Sequence, residues 1–362
     1  MKALERFLHI LTCSVGGEKA LKRIPGYKPL CFIKETLYLY RKGNIYALID
    51  NRIVKIMGIY PSTIKELFRI TSRLFRSEPK YAVPVGKSAM IIAGHRKLLL
   101  VDVNKKKVIE LASSRDGFSD PLNICTGNES WIAIWGDYGS NLFLDEINIY
   151  GLNLDSKVEI IYTFKKGQVR HIHNIIKKND GGFYIFAGDQ ESGAGIYESD
   201  SRFKNVIPLK IGEQKYRAVI GFETVEGLLY ATDAVNEKNY IYILRRGREP
   251  VKVCELNASC IYGVEFNGNY YFSTTVEPDE NNKGIMSWIS KKRGQGILSD
   301  EVYLVVVNKQ MQFKTVMKLK KDVFPMKLFQ YGSIQFPKGN LEELWCYPVA
   351  VKKSDGVALR LE

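Results

Sequence analysis

The stretches that decide the fold are VRHIH at 169–173 and GFYIFAGD at 182–189, two short strands separated by a turn. Two further pairs follow the same pattern: KYRAV at 215–219 with GLLYATD at 227–233, and IYGV at 261–264 with GNYYFSTT at 268–275. His171 precedes Arg217 by 46 positions, and Arg217 precedes Tyr262 by 45. Repeats of this length, filled with short strands, are typical of propeller blades, because a four-stranded blade buries both faces only between neighbours.

Other strand-like pairs extend the repeat in both directions, within 30–50, 81–111, 123–164 and 324–361. Together they predict an all-β chain with seven blades, and six is the alternative. The last blade needs a closing strand from the beginning of the chain, which residues 4–13 can supply. Because no linker rich in Pro, Gly or Ser divides the chain, we predict a single β-propeller domain over 1–362.

Two segments depart from the strand pattern. After Pro61, apolar residues recur at helical spacing with basic residues on the opposite face, which predicts one short amphipathic helix. Such a helix either packs its apolar side on the domain or, over 63–76, lies on an anionic membrane. The second segment is a long loop insertion at 279–300, which leaves from the rim of the sixth blade and can cover the channel as a lid.

The charge of the chain favours anionic partners. There are 53 Lys and Arg against 39 Asp and Glu, a formal net charge of +14. No helix-turn-helix, zinc-finger or RNA-recognition motif accompanies this charge, so nucleic acid is not an expected partner. The first residues resemble a signal peptide poorly and the six cysteines form no CxxC pair, which favours a cytoplasmic protein, peripheral at the inner membrane face as the alternative.

In a propeller, the innermost strand of each blade begins, and the second strand ends, at the same rim of the central channel. This rule gathers the candidate functional residues of the chain: Arg170, His171, His173, Asp189, Tyr216, Arg217, Asp233, Tyr262 and Glu277, with Trp135 and Asp137 from the preceding blade. The sequence therefore predicts a polar funnel at one mouth of the channel.

Two histidines in this set suggest a metal. His171 and His173 are two apart on a predicted strand, so both imidazoles point to the same side, as an HxH pair does when it binds a divalent ion. Asp189 or Asp233 can add an oxygen ligand. In the alternative interpretation, both imidazoles are simply hydrogen-bonded to neighbouring strands.

Three acids of the funnel, Asp137, Asp189 and Asp233, each end a second strand. Carboxylates that share a water-poor funnel repel one another, which raises the pKa of one and leaves the other ionised, as general acid and base catalysis of glycosidic bond cleavage requires. An acid beside glycine is also common in turns, so a purely structural role stays open.

The remaining candidates would hold a substrate. Arg170 and Arg217 can clamp a carboxylate or phosphate through paired hydrogen bonds, or they can brace the blades by pairing with the acids. Tyr216, Tyr262 and Trp135 offer flat faces for a sugar ring, although aromatic residues of strands commonly belong to the core. Glu277, just beyond Thr275 at the end of a second strand, is a further candidate for binding substrate.

Part of the chain resembles a known class of propellers. The motifs RHIH at 170–173, AGD at 187–189, IYESD at 196–200, YR at 216–217 and ATD at 231–233 resemble the central region of sialidase-like propellers of the BNR or Asp-box type. The resemblance covers about residues 120–280 and implies a six- or seven-bladed propeller that acts on glycans. The Asp-box S-x-D-x-G-x-T-W is degenerate here, since SDSRFK at 199–204 keeps only Ser199 and a displaced Asp200.

These expectations lead to three hypotheses. The first is a carbohydrate-active enzyme, a glycoside hydrolase or lyase, that acts on a glycosidic bond of an acidic oligosaccharide. The second is a glycosyltransferase of surface-polysaccharide biosynthesis, which uses a nucleotide sugar at the inner membrane face. The third is a non-catalytic scaffold that binds glycan or protein. The one cofactor that the sequence indicates is a divalent metal at His171 and His173.

Overall fold

The chain folds into seven four-stranded antiparallel sheets arranged as a β-propeller. The computed structural model describes residues 22–61, 63–116, 118, 120–189, 191–281 and 283–362. Each sheet is one blade, and the innermost strands of successive blades pack side by side around a central channel. The all-β fold and the count of seven blades are confirmed, and the alternative of six is wrong.

Six blades are continuous in sequence. The first two consist of β2 (Lys28–Ile33), β3 (Thr36–Arg41), β4 (Asn44–Ile49) and β5 (Arg52–Gly58), then β6 (Tyr81–Val85), β7 (Ala89–Gly94), β8 (Lys97–Asp102) and β9 (Lys107–Ser113). The third and fourth consist of β10 (Cys125–Thr126), β11 (Trp131–Gly136), β12 (Ile147–Asn153) and β13 (Val158–Phe164), then β14 (Ile172–Lys177), β15 (Phe183–Ala187), β16 (Gly195–Ser199) and β17 (Val206–Ile211). The fifth and sixth consist of β18 (Ala218–Thr224), β19 (Gly227–Thr232), β20 (Asn239–Leu244) and β21 (Val251–Leu256), then β22 (Cys260–Phe266), β23 (Asn269–Thr274), β24 (Glu301–Val307) and β25 (Phe313–Lys320).

The seventh blade closes the ring with strands from both ends of the described chain. It contains β26 (Ser333–Gln335), β27 (Leu344–Val349) and β28 (Val357–Leu361), and its outermost strand is β1 (Arg23–Pro25). Ile24 pairs with Ala358, and Lys22 accepts a backbone hydrogen bond from Arg360. The predicted closing segment 4–13 lies outside the described residues.

Apolar side chains fill the space between adjacent blades. The cluster between the fifth and sixth blades, for example, contains Leu229, Ile241, Cys260, Phe272 and Val305. Such clusters recur between other neighbouring blades. Both faces of a blade are therefore buried, which explains why the inner strands are apolar almost throughout.

An aspartate or asparagine shapes the turn between the third and fourth strands in four blades. Asp102, Asn153, Asp200 and Asn308 each accept a hydrogen bond at Oδ1 from the backbone N–H two residues further on. Such side-chain caps stabilise tight turns. The degenerate Asp-box at 199–204 is one of these turns.

Three segments rise from the rim at which the inner strands begin. The connection 59–80 contains a 3₁₀ turn (Ile64–Glu66) and α1 (Arg69–Leu74), and the connection 321–332 contains α2 (Met326–Phe329). The predicted insertion is found between β23 and β24 and includes a 3₁₀ helix (Ile285–Trp288). No helix in the described part of the chain is long and apolar enough to cross a membrane.

The predicted amphipathic helix is shorter than 63–76, and the alternative in which its apolar side packs on the domain is wrong. Arg73 is only 3% exposed, whereas Phe68 and Phe75 are largely exposed. The reason is that Arg69 and Arg73 form ion pairs with acids beneath the helix, so the charged side of α1 faces the protein.

Candidate functional site

The fourth blade brings two histidines and one aspartate together at the mouth of the channel. His171 precedes β14, His173 lies within it, and Asp189 follows β15. Gly188 ends the pairing of these strands by donating its N–H to the His171 carbonyl at 3.0 Å. Gly188 has φ +78°, and a Cβ there would overlap the Gly193 carbonyl, so only glycine allows the turn that carries Asp189 towards the histidines.

A β-bulge sets the position of His173. Ile172 pairs with Ala187 and Asn174 pairs with Phe186, so His173 is the extra residue of β14. Bulges redirect a side chain without ending the sheet. The same irregularity occurs at the start of the innermost strand in the first, fifth and sixth blades, where the extra residues are Leu30, Val219 and Ile261.

The three side chains converge closely. His171 Nε2 lies 3.0 Å from His173 Nε2 and 3.2 Å from Asp189 Oδ2, and His173 Nε2 lies 3.1 Å from Asp189 Oδ1. Both imidazoles are buried, whereas the Asp189 side chain is 23% exposed to the channel mouth. These residues form the one group of three potential metal ligands in the part of the chain that the structure describes.

The hydrogen bonds of the other ring nitrogens fix the histidine tautomers. His171 Nδ1 lies 2.9 Å from the Gly139 carbonyl, and His173 Nδ1 lies 2.9 Å from the Ala218 carbonyl. A carbonyl oxygen only accepts, so each Nδ1 carries the proton and each neutral ring keeps its lone pair at Nε2. Burial also lowers the pKa of His173, which favours its neutral form. Two nitrogen lone pairs and a carboxylate therefore face one point, where a cation satisfies all three.

The separations suit a metal ion. Metal bonds of about 2.1 Å at right angles place neighbouring ligand atoms about 3 Å apart. Metal-bound histidines generally donate their other N–H to a backbone carbonyl or a carboxylate, as both do here. Two imidazoles with one carboxylate form a ligand set that leaves coordination positions for water or substrate.

Two arginines flank Asp189. Arg170 Nη1 lies 3.4 Å from Asp189 Oδ2, and Arg217 Nη2 lies 3.4 Å from Asp189 Oδ1 and 3.1 Å from Glu280 Oε1. Burial opposes ionisation of Asp189, yet hydrogen bonds from the imidazoles, whenever one of their Nε2 atoms carries a proton, and the Arg217 charge outweigh it and hold the pKa of Asp189 well below its usual range. Arg170 and Arg217 therefore brace this carboxylate, and the Nε atom of each has no hydrogen-bond partner among the described residues.

Beside this cluster lie two buried acids, Asp233 and Glu277. Burial, and then the charge of Glu277, raise the pKa of Asp233 well above its usual value, and burial also raises the pKa of Glu277. Arg217 Nη2 is 3.6 Å from Asp233 Oδ2, and Asp233 Oδ1 has no partner in the described structure. Glu277 accepts hydrogen bonds from Ser259 and Thr275. The pair therefore holds a proton more readily than two isolated carboxyl groups do, and it is a candidate proton donor.

The opposite side of the channel is basic. Lys28 and Lys80 line a cavity of about 370 Å³, and both also line a second, smaller pocket together with Lys338. Burial lowers the pKa of each of these lysines to about 8. Tyr138 links the two sides, since its ring centroid lies 4.6 Å from that of His171 and 4.6 Å from Lys80 Nζ. A ligand that spans the mouth thus meets acids and histidines on one side and lysines on the other.

The remaining predicted residues lie in different surroundings. Tyr262 lines the cavity, and Gln335 donates to its hydroxyl at 3.3 Å. Trp135 and Tyr216 are buried in hydrophobic clusters between blades, so neither offers a face to the channel. Asp137 accepts hydrogen bonds from the Asn148 backbone and the Tyr150 hydroxyl, and burial raises its pKa. The Asp137 side chain therefore stabilises a turn, and it is not hydrogen-bonded to His171, His173 or Asp189.

Sequence reasoning missed Tyr138 and the three lysines. Lys28 is the first residue of β2, and Lys80 immediately precedes β6, so the rule that located His171 also applies to them. They were overlooked because the repeat is weak in the first two blades. Lys338 follows β26 and has no counterpart in the other blades that could have identified it.

Comparisons with known proteins relate the chain to propellers of many kinds. No family model matches the sequence, and no curated protein matches it. Among solved structures, "Structure of U3-55K" is 8% identical with a TM-score of 0.54 and covers 95% of this chain and 100% of that one. "AfRom2 CNH domain" is 5% identical with a TM-score of 0.52, covering 94% and 95%.

A third structure is the extracellular domain of the putative hybrid two component system BT4673 from B. thetaiotaomicron, 9% identical with a TM-score of 0.53, covering 93% of this chain and 40% of that one. The likeness is one of fold alone. A seven-bladed propeller is shown, whereas no family match supports the sialidase-like type, and none of these three titles mentions glycosidase or glycosyltransferase activity.

Proposed function

We propose that the mouth of the channel is a divalent-metal centre that binds an acidic glycan and cleaves one of its glycosidic bonds. The observation that carries the proposal is the convergence of His171 Nε2, His173 Nε2 and the Asp189 carboxylate, with both Nδ1 protons held by backbone carbonyls. Three acceptor atoms at such short separations repel one another unless a proton or a metal ion lies between them.

The charge of the surroundings supports a divalent ion. The ion adds two positive charges beside Arg170 and Arg217, and Asp233, Glu277 and Glu280 are the acids available to balance them. The positive charge of the metal is therefore expected to favour ionisation of Glu277, whereas burial and the charge of Glu277 keep the pKa of Asp233 raised.

The basic wall supports an anionic ligand. Lys28, Lys80 and Lys338 lie on the same channel, and desolvated lysines gain from a bound carboxylate or phosphate that restores their charged state. In an acidic glycan, one carboxylate can meet the metal while another lies against the lysines. The protonated member of the Asp233–Glu277 pair then serves as general acid for the leaving oxygen.

The first experiment measures metal binding. We expect wild-type protein to bind one Zn²⁺, Mn²⁺ or Ni²⁺ per chain in calorimetry, and an ion at 100 times its Kd to stabilise the fold by ~2.7 kcal/mol in thermal unfolding. His173→Gln and Asp189→Asn should lose this stabilisation. His95→Gln is the matched control, because His95 lies on the channel wall outside the cluster. Equal metal binding by His173→Gln and His95→Gln contradicts the proposed centre.

The second experiment measures cleavage. Metal-loaded protein is incubated with uronic-acid and sialylated oligosaccharides, and products are separated by mass, with ultraviolet absorbance distinguishing elimination from hydrolysis. Asp233→Asn should retain the metal and lose turnover, because the side chain keeps its shape and loses its proton. If wild-type protein binds metal and cleaves none of these glycans, the glycan part of the proposal is wrong and the metal centre stands.

A non-catalytic scaffold is the second candidate, and one observation favours it. Arg217 is engaged by Asp189, Asp233 and Glu280 at once, as expected if the polar groups of the funnel mainly satisfy one another. If the scaffold binds protein, neither metal nor acidic oligosaccharide shifts the unfolding temperature; if it binds glycan, an oligosaccharide shifts it without being cleaved. No observation favours glycosyl transfer from a nucleotide sugar over cleavage.

A further inference from the structure

Three neighbouring segments form a raised face on the rim that surrounds the channel mouth. They are 59–80, 275–300 and 321–332. Helix α1 of the first packs against α2 of the third, and α2 packs against the 3₁₀ helix Ile285–Trp288 of the second. Arg73 donates to the Phe329 carbonyl, and Arg76 donates to the Lys327 carbonyl. We call these three segments together the rim face.

The rim face exposes large apolar side chains to solvent. Ile64 and Ile285 are each 85% exposed, and other exposed members include Phe68, Phe75, Trp288 and Val323. Single exposed apolar residues are common on protein surfaces, but a group drawn from adjacent segments marks an interaction site. Most other exposed large apolar residues of the described chain are scattered on outer strands and turns, such as Val54, Ile160 and Phe313.

The apolar residues are held outward by charge pairing beneath them. Arg69 pairs with Glu78 and Asp355, and Arg73 pairs with Asp322 and Asp355. Because these ion pairs occupy the side of α1 that faces the domain, Phe68 and Phe75 have no core to enter. Their exposure follows from how the helix is anchored.

The free charges of the rim face are positive. Lys65, Arg76, Lys283 and Lys291 are exposed, and no ion pair links any of them to an acid in the described structure. The acids of these segments are engaged: Glu66 with Tyr40, Glu78 with Arg69, Glu277 with Ser259 and Thr275, Asp279 with Lys292, Glu280 with Arg217, Asp300 with Lys320 and Asp322 with Arg73. The face therefore combines apolar side chains with uncompensated positive charge.

We propose that the rim face docks on the surface of an anionic lipid bilayer. Apolar and aromatic side chains enter the boundary between headgroups and acyl chains, and lysines around them attract anionic headgroups at ~1 kcal/mol each. A second copy of the chain fits this face poorly, because a symmetric contact places like charges opposite one another. The membrane contact predicted for 63–76 is thus extended to the other segments of the rim face, and apolar side chains such as Phe68 and Trp288 make the contact. This proposal does not depend on the metal centre.

Docking in this way turns the channel mouth towards the bilayer. The rim face and the cluster of His171, His173 and Asp189 lie on the same rim of the propeller. Each lies next to the start of an innermost strand or the end of a second strand. A docked protein therefore presents this mouth to molecules at the membrane surface. Under the proposed function, these are acidic glycans attached to lipid.

The experiment is co-sedimentation of the full chain with vesicles of phosphatidylcholine alone or mixed with phosphatidylglycerol. Wild-type protein should bind the mixed vesicles, bind phosphatidylcholine much more weakly, and dissociate as salt is raised. Phe68→Ser with Trp288→Ser should weaken binding at least about tenfold, because burial of one large apolar side chain contributes ~1.5–3 kcal/mol. Lys283→Glu with Lys291→Glu should weaken it at low salt.

Matched controls lie away from the rim face. Phe313→Ser removes an aromatic ring of similar exposure from an outer strand, and Lys105→Glu with Lys106→Glu reverses two exposed charges in the turn after β8. Both controls should bind as wild type does. The triple reversal of Arg69, Arg73 and Arg76 is unsuitable as a test, because Arg73 is buried and its loss disturbs the fold.

A spectroscopic measurement identifies the inserted residue. Trp288 is exposed, whereas Trp135 and Trp345 are buried. Brominated acyl chains should therefore quench a component of the fluorescence that Trp288→Phe removes. The proposal is overturned if folded wild-type protein does not bind anionic vesicles, or if the rim variants and the controls lose binding equally. Binding without quenching by brominated lipid contradicts the insertion of Trp288.

Discussion

Two charged clusters occupy the same rim of this propeller, and they differ in how completely their members are paired. The first is the anchor of α1, in which Arg69 and Arg73 meet Glu78, Asp322 and Asp355. The second is the cluster of His171, His173 and Asp189 with the neighbouring acids. Both are largely buried and rich in charge. Only in the first cluster do the charged side chains find all their ion-pair and hydrogen-bond partners.

In the anchor of α1, each acid has several donors. Asp355 accepts from Arg69, from Arg73 and from the Ala350 backbone, and Glu78 accepts from Arg69 and Tyr347. Although burial opposes their ionisation, the neighbouring positive charges and hydrogen bonds lower the pKa values of Glu78 and Asp322. This is the signature of a structural ion-pair network.

In the histidine cluster, both acceptors and donors lack partners among the described residues. Two imidazole lone pairs and a carboxylate converge, and Asp233 Oδ1 together with the Nε atoms of Arg170 and Arg217 has no partner in the described structure. The pKa values of Asp233 and Glu277 rise through burial instead of falling. Buried polar groups normally find partners, so this deficit points to a ligand more strongly than the number of charges does.

The largest expected effect breaks the anchor. Arg73→Met leaves the carboxylates of Asp322 and Asp355 buried beside fewer positive charges, and we expect the free energy of unfolding to fall by ~3–5 kcal/mol. Urea denaturation measures it. Arg76→Met is the matched control, because Arg76 is exposed and should change stability by less than about 0.5 kcal/mol. Similar unfolding midpoints for the two variants would show that the anchor contributes little.

A matched pair of substitutions compares the two clusters directly. Asp322→Asn removes a carboxylate bonded to Arg73 and Lys321 and should cost ~1.5–3 kcal/mol at neutral pH. Asp233→Asn removes a buried carboxyl whose ionisation is unfavourable, so stability at neutral pH should be unchanged or higher. The measurement is urea unfolding of both variants against wild type between pH 4 and 8.

The pH dependence of these variants should have opposite signs. The folded-state pKa of Asp322 is lowered, so its stabilisation is present above its unfolded pKa and is lost as pH falls through the folded value. The folded-state pKa of Asp233 is raised, so folding binds a proton in the window above the unfolded pKa, and wild-type stability falls there as pH rises. Parallel pH profiles for the two variants would contradict the distinction between the clusters.

The sequence predicted the fold and the convergence of residues better than it predicted their roles. The repeat from 169 to 275 fixed the blade length, and the rule for strand ends placed His171, Asp189, Arg217 and Asp233 at one mouth. Trp135 and Tyr216 were not distinguishable from channel residues, because an aromatic residue beside a strand end can face either the channel or the next blade. The structure buries both between blades.

For a related reason, the sequence could not predict which side of α1 faces the domain. Helical periodicity shows that apolar and basic residues occupy opposite sides, but it does not show which side faces the domain. That depends on Asp322 and Asp355, which lie some 250 to 290 positions away and meet Arg73 only after the seventh blade closes the ring. The β-bulge at His173 is likewise set by pairing and not by local residue type.

The smallest expected effect concerns a partly buried lysine that has no acid partner among the described residues. Lys338 is partly buried on the channel wall, and its Nζ is hydrogen-bonded to the Gly263 carbonyl at 3.3 Å. Burial lowers its pKa to about 8. Lys338→Met should therefore raise the free energy of unfolding by ~1 kcal/mol at pH 7, because an apolar side chain of similar length replaces an uncompensated charge.

The pH dependence of this gain separates an unpaired lysine from a paired one. Between pH 8 and about 10.4, the unfolded lysine holds a proton that the folded one has lost, so wild-type stability rises with pH and the advantage of Lys338→Met should disappear. Subtracting variant from wild type at each pH cancels the opposing contribution of the buried cysteines, whose pKa values are raised. If the difference in the free energy of unfolding between wild type and Lys338→Met stays constant from pH 7 to 10, Lys338 is paired as completely as Arg73. The basic wall would then have no unpaired charge to bind an anion.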